Sequence, residues 1–313
     1  MISTRYIFFS DLHSNYYALK QFNNYLKEYD DHENIKLFFL GDLVGYYEFD
    51  FRIITIFHEM LNKYNLTLLL GNHDAKFLNM YFNTSYTVNC KINLSGKILY
   101  DHNMRHEIKE LLQLSKLTEV SFIYNRKTII SHGGISDPLN DYYYPDLKFT
   151  ETHNRIFDND TDYIFGHTHH CFVYNDEQKN NRFINIGSLG MPRNKEVFGS
   201  ILEITHKGIE IKKIAYNLDL QFEANVELPN KIKNRVYFGG NSKFIEESLE
   251  EFNQDEVNQF KLINTNVIYF KKLILIDNKT KVLKVKDGYL LIQEKLESKF
   301  RNLDFLKEIE YET

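Results

Sequence analysis

Polar clusters that recur behind apolar, β-rich runs constrain this chain more than any other feature. The clusters are Asp11-Leu12-His13, Gly41-Asp42, Gly71-Asn72-His73-Asp74, Ser131-His132 and Gly166-His167-Thr168-His169. Before them stand Tyr6 to Phe9, Ile35 to Leu40, Leu66 to Leu70, a two-strand stretch from Val120 to Ile130 turning at Asn125-Arg126, and Asp162 to Phe165. Between the first runs, Ala18, Phe22, Tyr25, Leu26 and Tyr29 recur at helical spacing, with Asn15 placed to cap. Ile53, Ile56, Phe57, Met60 and Leu61 mark a second helix. Strand, polar loop and helix in alternation predict a layered α/β fold. In such folds ligands gather beyond the carboxyl ends of the strands, so one pocket can receive every cluster.

Asp and Asn supply hard oxygen donors, and neutral His supplies nitrogen. That set suits Mn, Fe, Zn, Co or Ni better than copper(I) or an iron–sulfur cluster. Taken singly, Asp-x-His and Gly-Asp are ordinary surface or turn features. Their repetition in order, always at strand ends, is what argues for a metal site. The candidate ligands are Asp11, His13, Asp42, Asn72, His132, His167 and His169, too many for one ion and about right for two. Asp42, alone at its strand end, is a natural bridge. Two such metals activate a bridging water and clamp the oxygens of an in-line phosphoryl displacement.

The order of motifs resembles the calcineurin-like metallophosphoesterase superfamily over residues of roughly 6 to 215. The resemblance implies a two-sheet β-sandwich flanked by helices around a dinuclear centre. It implies that Asp11, His13 and His169 hold one metal, that Asn72, His132 and His167 hold the other, and that Asp42 bridges them. His73 would contact the phosphoryl oxygens or protonate the leaving group, with Asp74 placed to support it. Manganese is the expected metal, with Fe, Zn, Ni or Co as alternatives. Ser14 stands where the family usually has Gly. Gly45-Tyr46 replaces the Asp-Arg of the protein phosphatase branch, whose Arg grips a monoester dianion. Gly187-Ser188-Leu189-Gly190-Met191-Pro192-Arg193 is similar to the closing motif of the small bacterial phosphodiesterase branch, whereas Ser131-His132-Gly133-Gly134 is similar to the phosphatase branch. The balance predicts a phosphodiesterase with a metal-bridging hydroxide as nucleophile. The alternatives are a phosphomonoesterase, a nuclease or a non-catalytic scaffold. Arg193 and Asn15 are the candidate substrate-binding residues.

Composition narrows the partners. A formal charge of -5 gives no general positive field for nucleic acid. A small-molecule or nucleotide phosphoester is the favoured substrate. The 2 cysteines, Cys90 and Cys171, are too few for a disulfide framework and predict plain thiols in a reducing compartment. Without an apolar run of membrane-spanning length, a cytoplasmic location is the expectation.

A shift of character after Asn217 predicts a catalytic domain over 1–216, with an insertion at about 75–118 containing a helix around Glu107 to Leu114. Residues 217–313 would form an accessory α+β region, with a hairpin at Asp287-Gly288 and a lysine-bearing strand face. Phe183 to Ile186 is a further strand, and Val197 to Ile204 with Ile209 to Ala215 a closing hairpin. His170 is expected to point away from the ligands, and His102 and His106 to be exposed. Tyr142-Tyr143-Tyr144 could stack on a nucleobase or simply pack.

Overall fold

In the computed structural model the described residues are 4–82, 102–144, 157–193 and 198–225. Strand β1 (Arg5–Phe9) shows how the layers arise. Side chains alternate across a strand. Tyr6 and Phe8 face one way, into an apolar layer with Ile130, Ile164, Ile184 and Leu202. Ile7 and Phe9 face the other way, against helices. Burying each such side chain stabilises the fold by about 1.5–3 kcal/mol.

The remaining strands are β2 (Ile35–Phe39), β3 (Asn65–Leu68), β4 (Thr118–Ile123), β5 (Arg126–Ser131), β6 (Thr161–Phe165), β7 (Cys171–Asp176), β8 (Asn181–Ile186), β9 (Gly199–Thr205) and β10 (Gly208–Ile214). They form two five-stranded mixed sheets, ordered β10-β9-β1-β2-β3 and β4-β5-β6-β8-β7. The sheets meet through the layer that holds Phe8 and Ile164. Helices α1 (Tyr16–Lys27), α2 (Arg52–Lys63), α3 (Asn72–Phe82) and α4 (His102–Gln113) contribute to the core on the far side of the first sheet. A short α5 (Leu218–Glu223) follows β10. The outer face of the second sheet is aromatic, with Tyr143, Phe157, Tyr163, Phe165, Phe172 and Phe183 clustered there.

Register decides what meets at the site. In the first sheet β1, β2 and β3 are parallel, with Phe9 opposite Phe39 and Phe39 opposite Leu68. In the second, β5, β6 and β8 are parallel, with Ile130 opposite Ile164 and Phe165 opposite Asn185. All six strands therefore discharge their loops at one edge of the sandwich. Among the described residues no helix is long and apolar enough to cross a membrane.

Some local expectations shift. The turn between β4 and β5 falls at Tyr124-Asn125, both left-handed at φ 47 and 65, one residue before the expected place. That backbone is the one a two-residue hairpin requires. Helix α3 begins inside the Asn72-His73-Asp74 motif, where the sequence reading saw only a polar loop. Strand β7 was not anticipated. Its Cys171 is buried between the sheets, and its register with β8 pairs Cys171 with Ile186. Cys90, Asp287-Gly288 and the lysines of the tail lie outside the described residues.

Candidate metal centre

The loops at the common strand edge are held in left-handed backbone. Asp11, His13, Ser14, Asp42, Tyr46, His167 and His169 have φ between 49 and 66. Asp and His tolerate this region better than most residues, yet it costs of order 1–3 kcal/mol at each position. Hydrogen bonds between loops hold the conformation. The Asp11, His13 and Ser14 amides donate to the carbonyls of Gly41, Asp42 and Leu43 at 2.9, 2.9 and 2.8 Å. At φ 65, Ser14 occupies a conformation that favours glycine, which is the physical content of its departure from the family pattern. His167 and His169 lie in the turn after β6, and their left-handed bends send them to different groups, His169 to Asp11 and His13, His167 to Asp42 and His132.

Three imidazoles are oriented in the same way. Nδ1 of His13, His132 and His169 donates to the carbonyls of Val44, Leu40 and Met191 at 3.2, 2.8 and 2.6 Å. Because a carbonyl only accepts, each Nδ1 carries the proton and each Nε2 presents its lone pair inward. The Nε2 atoms of His13 and His169 lie 3.0 Å apart. His169 Nε2 is 3.2 Å from Asp11 Oδ1, a buried oxygen that receives no hydrogen bond. Asp42 Oδ2 lies 3.6 Å from His13 Nε2 and 3.5 Å from His132 Nε2. His132 Nε2 is 3.4 Å from Asn72 Oδ1. Lone pairs thus face lone pairs across a buried space, an arrangement that a cation stabilises.

Ligand-type atoms lie within 4.8 Å of one another in the groups Asp11, His13 and His169, then Asp42, His132 and His167, then His13, Asp42 and His73. Burial, followed by the neighbouring His169 and His73, holds His13 well below the ordinary histidine range. Burial and then His132 push His167 down to about 3. Both are therefore neutral near pH 7, which is the ligating form. Burial, and then Asp74 and Asp11, raise Asp42 well above the usual carboxylate range, a cost that a bound cation reverses.

The other expected site residues divide. His73 is buried in the first turn of α3, its ring centroid 5.0 Å from those of His13 and Tyr46. Its backbone amide donates to Asp42 Oδ1 at 2.8 Å. Asp74 accepts from the amides of Asp42 at 2.8 Å, Val44 at 3.2 Å and Gly71 at 3.2 Å, so its carboxylate fastens the Asp42 loop. Asn15 is fully buried and structurally employed. Its Oδ1 caps α1 at the Ala18 amide, 3.0 Å away, and its Nδ2 donates to the Gly190 carbonyl at 2.8 Å. Those bonds tie the start of α1 to the segment at Gly190. Arg193 Nη2 donates to the Tyr46 hydroxyl at 3.1 Å.

Tyr46 and Gly45 were noticed only as departures from a pattern. Gly45 has φ +107, and a Cβ there would fall 2.5 Å from His73 Nδ1. The glycine thus lets His73 approach. His170 lies against Tyr144, its ring centroid 5.7 Å away, outside the cluster, and His106 is exposed, as expected.

A sandwich of this topology with an Asp, His and Asn cluster at its parallel strand ends defines a metal-dependent hydrolase class. The calcineurin-like phosphoesterase superfamily domain matches residues 5–207, and the chain belongs to that family. It is a hydrolase acting on phosphoric ester bonds. The family uses divalent metals, and the clustered His and Asp groups could bind them. Among solved structures, a metallophosphoesterase from Sphaerobacter thermophilus is similar at 17% identity and TM-score 0.58, covering 76% of this chain and 100% of its own. A hypothetical protein from Pyrococcus horikoshii aligns at 14% identity and TM-score 0.60, covering 77% of this chain and 99% of its own. No curated protein sequence matches the chain.

Proposed function

We propose that this chain is a dinuclear metal-dependent phosphodiesterase. The observation that carries the dinuclear reading is the place of Asp42 Oδ2, about equally far from His13 Nε2 and His132 Nε2 at 3.6 and 3.5 Å. Asp11, His13 and His169 would hold one ion, and Asn72, His132 and His167 the other, with Asp42 shared. The nitrogen and oxygen donors suit manganese and also accept Fe, Zn, Ni or Co. Two bound divalent ions lower the pKa of a water and neutralise charge developing on phosphoryl oxygens.

His73 would give a proton to the leaving-group oxygen. Asp11, His13, Asp42 and His132 are themselves buried, which strengthens each polar contact among them. Arg193 would donate to a phosphoryl oxygen while Tyr46 holds its guanidinium. Preference for a diester is supported at Gly45-Tyr46. Neither residue supplies a cation for a second anionic charge, and the glycine is committed to giving His73 room.

The test compares turnover of bis-p-nitrophenyl phosphate and p-nitrophenyl phosphate with Mn, Ni and Zn. The diester should turn over faster, and Asp42→Asn should abolish both rates. Faster monoester turnover would replace this reading with a phosphomonoesterase. Full activity in Asp42→Asn would refute the shared-ligand role.

A further inference from the structure

The loop after β5 carries Tyr142-Tyr143-Tyr144. Tyr143 is buried, its ring 4.9 Å from that of Phe165 in the outer core of the second sheet. Tyr142 and Tyr144 turn outward instead, with 55% and 40% of their surface exposed. Their rings are nearly parallel, 10° apart in plane with centroids 6.2 Å apart. Tyr142 lies against the His167 ring at 4.2 Å, and Tyr144 against His170 at 5.7 Å. The buried Tyr143 fixes the loop between the two, so the exposed pair is set in place before any ligand arrives. The contact with His167 places Tyr142 beside the cluster, on the ring that stands with Asp42 and His132.

Large exposed aromatic faces beside an anion-binding site are matched by a ligand that is aromatic at one end and anionic at the other. We propose that Tyr142 and Tyr144 form a stacking platform for the base of a nucleotide phosphoester whose phosphate enters the cluster beside Arg193. This rests on the phosphoesterase reading above and names its substrate class. One ribose separates base from phosphate, and the contact of Tyr142 with His167 puts the platform one ring away from the reacting end. Stacking discriminates weakly among bases, so purine and pyrimidine nucleotides should both be accepted.

Calorimetric titration of the manganese-loaded full chain with AMP and with ribose 5-phosphate tests this, and if phosphate is released from either, the 5′-methylenephosphonate analogues, whose C–P bond is not hydrolysed, replace both. The two ligands share a phosphate and a sugar and differ in the base. AMP should bind at least about fivefold more tightly. Tyr142→Leu and Tyr144→Leu should each bring the ratio toward one, while Tyr142→Phe, which keeps the ring, should preserve it. Equal affinities in the parent chain, no AMP binding, or an unchanged ratio in both leucine variants would overturn the platform. Because the readout is base-dependent binding, it stands apart from the diester test. A chain that prefers monoesters can still carry the platform, and a diesterase can lack it.

Discussion

His73 can be separated from its surroundings by a single substitution. Its backbone amide holds Asp42 Oδ1, so His73→Ala deletes the ring while keeping the bond that orients the shared carboxylate. If the ring protonates the leaving group, the loss should depend on how much that group needs a proton. For a diester with an alkyl leaving group, kcat should fall by about 10²- to 10⁴-fold. For a p-nitrophenolate leaving group, which departs unprotonated, the fall should be much smaller. Equal losses on both substrates would assign the ring to positioning. The sequence offered this residue as a candidate but could not show why its neighbour is Gly45. That reason, a Cβ 2.5 Å from Nδ1, exists only once two loops are packed together.

At the scale of elements, α1 connects the first loop of the site to the closing segment near Gly190. Asn15 makes that connection through both ends of its amide, capping the helix with Oδ1 and holding the Gly190 carbonyl with Nδ2. Asn15→Ala should therefore lower stability by about 1–2 kcal/mol in urea unfolding and leave KM nearly unchanged. A large rise in KM at unchanged stability would return Asn15 to the substrate. The far end of α1 is tied to the sheet by a buried carboxylate. Tyr25 donates to Glu203 Oε2 on β9 at 2.6 Å, and Lys212 on β10 reaches the same oxygen at 2.7 Å. Strands and helices with clear periodicity, such as β1 and α1, were legible in the sequence. Strand β7 was not, because its run shades into polar residues and its pairing with β8 is a tertiary fact.

For the molecule as a whole, the site couples metal to stability and stability to pH. A chelator should lower Tm, and added manganese should restore it, because the buried ligands are then no longer left facing one another. In the chelated chain the pH dependence has a definite sign. His167 is pushed down to about 3, against an ordinary value near 6.5. Below about pH 6.5 the unfolded chain gains a proton that the folded chain refuses, so stability from this group is full above that pH. It is lost as pH falls toward about 3. The raised pKa values of Asp42 and Asp74 act in the opposite sense, favouring the folded chain at low pH and costing stability as pH rises through them. Comparing the chelated parent with His167→Gln isolates the histidine. The variant should lose less Tm between about pH 7.5 and about pH 5. An identical loss would mean that His167 is not buried as a neutral ring.

The sequence by itself determined the strand-loop-helix alternation, the donor chemistry at each strand end and the candidates for holding metal, because periodicity and residue type are local properties. The exposed pair Tyr142 and Tyr144 was visible only as a run of three tyrosines. Which ring would be buried in the outer aromatic layer depended on the packing of that loop on β6. Asp74 and Asn15 show the same dependence on packing. A polar side chain near a motif is indistinguishable in sequence from one in it until its hydrogen-bond partners are known. The tertiary structure alone decided the mutual register of the six parallel strands and the left-handed bends behind them. Those two features convert separated Asp, His and Asn residues into one buried cluster, since convergence is fixed by distances between loops that no single stretch of chain contains.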